Sequence, residues 1–227
     1  MKQNENNILN FQFSLIGRID SIYNNINKLT DIFAEYNQRN IQLDLKPNSI
    51  PTNCYIMMNN VCSISIHENR IDFGVKVFDS NSKTYFYKFL DSLKDNKFDI
   101  DISRIAINYN YFVDDTDGNL SQKIISKTNI FTDENKPEKL LLQLNFPFNI
   151  NDIKFNNLIS LEKNIIQNNK TFEKIGALII LIDINSSVEQ KNSFSFDNIK
   201  TFYDEMILKV NTRVSEIDTI IRRYENE

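Results

Sequence analysis

The 227-residue sequence has no tryptophan, one histidine, two cysteines, four prolines and only four glycines. Each shortage removes a chemistry. Four dispersed glycines build no phosphate cradle, and no P-loop, GxGxxG, GxSxG or HExxH motif occurs. Any Ser–His–Asp or Cys–His mechanism would have to use His67. Two cysteines and one histidine leave a structural zinc site short of its fourth ligand. Cys54 and Cys62 are expected on opposite faces of a hairpin, out of disulfide reach. No apolar run approaches the ~18 residues that span a bilayer. The first residues, MKQNENN, lack a signal-peptide core, so the expected compartment is the cytoplasm. Lysine and arginine number 26 against 30 aspartates and glutamates, a net charge of −4, with no basic block. Coating of nucleic acid is therefore disfavoured. No cofactor and no metal site are expected.

What is present is alternation. Leu9, Phe11, Phe13 and Leu15 alternate with polar residues, as a half-buried strand requires. Asp20 or Ser21 can cap a following helix with Ile22, Ile26, Leu29, Phe33 and Tyr36 on one stripe. Ile41–Leu45 is a short strand. The stretch 54–78 reads as three antiparallel strands. An Asn59-Asn60 turn sets Met57 opposite Cys62 and Tyr55 opposite Ile64. A Glu68-Asn69 turn pairs Ile66 with Ile71, Ile64 with Phe73 and Cys62 with Val75. A helix over Thr84–Leu93, a strand through Ile105–Val113 and a short helix over Asn119–Asn129 follow. Two more strands lead to Lys174–Asn185, KIGALIILIDIN, whose uncharged run predicts a central strand buried on both faces. Asp197–Tyr224 is a long amphipathic helix capped by Asp197. Short turns in place of regular βαβ alternation predict an α+β fold: an antiparallel or mixed sheet with helices on one face. No internal repeat is visible. A single domain is expected, with the loop 114–118 as the candidate division into two sheet-bearing halves.

Three features carry candidate chemistry. The polar face of the 54–78 hairpins presents His67, Arg70 and Asp72, read first as solvated surface and second as a partner-binding patch. Asp114, Asp115 and Asp117 form an acidic turn. It is not a calcium loop, because Val113 and Ile124 stand where an EF-hand needs oxygen ligands. With Asp183, these carboxylates could hold Mg²⁺ only if the fold brought them together. The last helix reads first as a helix lying across its own sheet. Its second reading is an oligomer seam of Val210, Arg213, Ile217, Ile220 and Tyr224.

An aromatic helix, Tyr85–Leu93, precedes ISRIAINYNYFV, similar to an Arg-Ile-Gly-Leu-Arg-Tyr-Ile-Asn pattern, and LIDIN is similar to Leu-Asp-Ile-Asp before a long terminal helix. In this order the chain resembles a sporadically distributed, uncharacterised prokaryotic family. Asn108 stands where the pattern has arginine, and Arg213 near where a histidine is common. The resemblance implies an α+β fold and carries no activity and no site residue. The expected function is a non-enzymatic protein-binding module, in a setting of phage–host conflict or a mobile element. The alternatives are a metal-dependent nuclease or hydrolase using the aspartates, and nucleic-acid binding through a local basic and aromatic stripe.

Overall fold

The computed structural model describes residues 8–25, 28–29, 31, 41–44, 53–58, 62–75, 80–127, 141–167, 172–189 and 192–225. Ten strands form one antiparallel sheet, in the order β2-β3-β4-β5-β1-β6-β10-β9-β7, with β8 also on β9. The strands are β1 (Ile8–Arg18), β2 (Ile41–Asp44), β3 (Asn53–Met58), β4 (Cys62–His67), β5 (Arg70–Val75), β6 (Asp101–Asp114), β7 (Leu141–Asn145), β8 (Phe148–Ile150), β9 (Ile153–Gln167) and β10 (Lys174–Ser186). The described helices are α1 (Asp20–Tyr23), α2 (Ser80–Asp95), α3 (Asn119–Lys127) and α4 (Phe196–Glu225). The fold is α+β, with an antiparallel sheet and a long C-terminal helix. No described helix is long and apolar enough to cross a membrane.

Alternation decides which face is covered. Phe11, Phe13 and Leu15 of β1, Ile105 and Ile107 of β6, and Ile180, Ile182 and Ile184 of β10 are all buried. They share one core with Phe86, Phe89 and Leu90 of α2 and with Ile199, Tyr203, Met206 and Val210 of α4. The rings of Phe13, Phe86 and Tyr203 meet there with centroids 4.6–5.1 Å apart, joining β1, α2 and α4. β10 is central in that it pairs with β6 and β9. Its helix-side residues are fully buried, whereas Ile179, Leu181 and Asp183 on the other face are half-buried, so burial on both faces is incomplete.

The β4–β5 register is as the alternation predicts. The β3–β4 register is one residue different: Met58 pairs with Cys62 and Met57 with Ser63. In Asn53–Met58 both alternate sets are apolar, so the pattern could not choose between registers. The shift puts Cys54 opposite Ile66 and Cys62 opposite Met58, on the same set of alternate positions. What separates the two cysteines is four residues along the strand, about 13 Å at the usual rise, too far for a disulfide. In α4 the buried stripe runs Val210, Val214, Ile217 and Ile221, while Ile220 is exposed. The N-terminal cap is the Ser195 hydroxyl, which accepts from the Asn198 amide at 3.2 Å. Asp197 instead pairs with Lys94 at 2.8 Å. α1 has no side-chain cap, and Ser21 donates to the Asp99 carbonyl instead.

Among the elements named above, the order repeats. Strand, helix, four strands and helix run from β1 to α2, and the same series runs from β6 to α4. Within each series the first strand pairs with the last and the last with the one before it: β1-β5-β4 and β6-β10-β9. The copies differ at their outer ends, where β7 and β8 both lie on β9. They meet at β1 and β6, which pair antiparallel, Phe13 opposite Ile107. Matching the registers with Phe13 on Ile107 sets the Ser14–Asp72 pair on Asn108–Asp183. A pseudo-twofold axis therefore passes between Phe13 and Ile107. In this repeat the halves join between α2 and β6, and the sheet is continuous across that point.

Candidate functional site: the open face of the sheet

No described helix covers the second face, and its chemistry differs from that of the first. Gln12, Asn108, Asp183, Leu158 and Asn145 lie side by side on five adjacent strands. The neighbouring row is Ser65, Asp72, Ser14, Ala106, Asn185 and Asn156. Amides and hydroxyls thus occupy the positions between apolar core residues.

These groups form two hydrogen-bonded chains, each ending on a carboxylate. In the N-terminal half the Gln12 amide donates to the Ser14 hydroxyl at 3.3 Å, and Ser14 donates to Asp72 Oδ1 at 2.6 Å. In the C-terminal half the Asn145 amide donates to Asn156, Asn156 to Asn185 and Asn185 to Asp183 Oδ2, at 3.5, 3.4 and 3.4 Å. Asn110 donates to Asn108 at 3.2 Å between them.

The two carboxylates are held differently. Asp72 is buried, and its Oδ2 meets Arg70 at 2.8 Å and His67 Nε2 at 3.3 Å. The fold therefore does bring His67, Arg70 and Asp72 together, because the tight β4–β5 turn sets His67 opposite Arg70 and Ser65 opposite Asp72. Ser14, which the sequence reading passed over, completes the cluster from β1. Its signal was a small hydroxyl at an alternate position inside an apolar strand. Serine, histidine and aspartate here do not make a nucleophilic triad. A triad needs the serine proton directed at the imidazole. In this cluster Ser14 gives it to the carboxylate, and His67 touches the other carboxylate oxygen. Asp183 makes no ion pair among the described residues. Burial pushes its carboxyl above the ordinary carboxylate range, and the Asn185 amide and the Arg104 charge offset that only in part.

The acidic loop is a separate place with a structural task. Asp115 is buried and caps α3: Oδ1 accepts from the Leu120 amide at 2.9 Å, and Oδ2 from the amide and hydroxyl of Ser121. Asp114 Oδ1 accepts from the Thr116 amide and hydroxyl, which hold its carboxyl below the ordinary range. Gly118 sits at φ +69°, and a Cβ there would lie 2.7 Å from Lys163 Nζ. A cleft of about 430 Å³ opens beside Asp114, Asp117, Lys123 and Tyr224. Asp183 does not reach it. Asp114 pairs with Ala177, and Asp183 lies six residues further along β10, about 20 Å at the usual rise. Among the described residues no three His, Cys, Asp or Glu side chains stand close enough to hold a metal ion.

The helix seam is largely taken up within the chain. Val210 and Ile217 are buried in its own core and Tyr224 packs against that core. Arg213 lies over the Phe146 ring at 4.8 Å. Ile220 alone of the five is exposed. Compared with models of protein families and with curated proteins, the chain matches none.

Proposed function

We propose that the chain is a binding module that docks a protein partner on the open face of its sheet. The observation that carries this reading is the amide chain Asn145–Asn156–Asn185 ending on Asp183, a half-buried carboxylate with no cation paired to it among the described residues. Retained charge in a desolvated place is expensive unless a ligand compensates it. The partner supplies a lysine or arginine over Asp183 and backbone or amide groups along the polar rows. Arg70 and Arg104 face Asp72, Asp183 and Glu162 here, an excess of acid and not the basic stripe that tracks phosphates. A setting in phage–host conflict or on a mobile element remains part of the proposal.

The test is capture from nuclease-treated lysate of the native host, comparing the native chain with Asn108→Arg/Asn110→Arg on the open face and Ile220→Arg on α4. A partner kept by Ile220→Arg and lost by the open-face variant is expected. Capture that survives the open-face change, or that disappears with nuclease, overturns the reading. Mg²⁺-dependent cleavage of nucleic acid that is lost in Asp183→Ala or Asp115→Ala would replace it with a nuclease.

A further inference from the structure

Among the described residues nothing pairs with the outer edge of β7, which ends the sheet order. Its sequence, Leu141–Asn145, LLQLN, has no charge and no proline. Leu141 and Leu144 are 62% and 43% exposed. Soluble proteins usually blunt such an edge with lysine, proline or a covering element, because unpaired backbone groups beside apolar side chains template strand addition.

We infer that this edge pairs with the β7 edge of a second copy, antiparallel, across a twofold axis at Gln143. The edge is self-complementary. With the axis at Gln143, Leu142 falls opposite Leu144 of the other copy, twice, on the helix-bearing face. Gln143 meets its own counterpart on the open face, where one amide donates and the other accepts. An isologous contact requires a surface that matches itself in this way. An extended peptide of another protein would have to reproduce these side-chain positions. The pairing joins two sheets into one and leaves both open faces free, so it stands apart from the docking reading above. With five residues per strand the contact belongs to the small class burying under about 1,200 Å². It is therefore concentration-dependent.

Sedimentation equilibrium from roughly 1 to 200 µM chain tests it, since contacts of this small class are weak. The expected mass rises from 26.7 kDa toward twice that value. Gln143→Glu and Gln143→Lys each place like charges face to face on the axis, and each is expected to stay monomeric over the range. An equal mixture of the two restores the dimer. Gln143 is exposed, so both variants should keep the native circular dichroism spectrum. A native chain that stays monomeric throughout overturns the inference. So does a dimer indifferent to both variants, as does a mixture that fails to re-associate, which would leave the edge to a peptide of another protein.

Discussion

Asp72 and Asp183 occupy matching positions in the two halves, yet among the described residues only Asp72 has an ion pair. Because burial raises the Asp183 carboxyl in the folded chain, folding binds its proton more tightly than the unfolded chain does. Ionisation therefore costs stability as pH rises from the ordinary carboxylate value through the raised one, and the cost is full above it. Asp183→Asn should raise the melting temperature at pH 7, about 2–4 °C for each kcal/mol recovered. The gain should vanish in acid, where the native carboxyl is protonated too. Equal gain at both pH values, or none, would mean the carboxylate is already compensated. Asp115 shows the contrast: the same side chain is more deeply buried, but three donors surround it. The sequence did not show which aspartate would be supplied with donors, because Leu120 and Ser121 reach Asp115 only where the loop turns back into α3.

At the scale of elements, legibility depended on how many arrangements a pattern allows. The β4–β5 hairpin was readable because its apolar residues occupy only one alternate set apart from the turn. The β3–β4 register was not, since Cys54, Ile56 and Met58 offer as good an apolar row as Tyr55 and Met57. The last helix was readable as a helix but not in phase. After Val210, steps of three and four lead through Arg213 and Ile220 or through Val214 and Ile221, and only the packed core decides. The decision is measurable. Ile221→Ala should cost about 2–4 kcal/mol in urea denaturation. Ile220→Ala should stay within about 0.5 kcal/mol. Similar losses at the two positions would place the helix in the other phase.

At the scale of the molecule, the α+β class followed from alternation and short turns, but the repeat did not. The halves share the order and register of their inner strands while aligning serine with asparagine and phenylalanine with isoleucine, so similarity survives mainly in topology, with Asp72 on Asp183 and Ile71 on Ile182 as shared residues. One core runs beneath both halves, with Phe13 of the first against Tyr203 of the second. Unfolding should therefore be a single event: circular dichroism and tyrosine fluorescence should lose signal at the same urea concentration. Two separated transitions would mean that the halves are independent. The axis between Phe13 and Ile107 has a further consequence for direction. A ligand lying across the sheet meets nearly the same strand layout whichever way round it arrives, because half a turn exchanges β1 with β6 and β5 with β10. The carboxylates break that ambiguity, one ion-paired with Arg70 and the other without an ion pair among the described residues. On the docking proposal, the sense in which a partner lies on this protein is then written by one partly compensated charge.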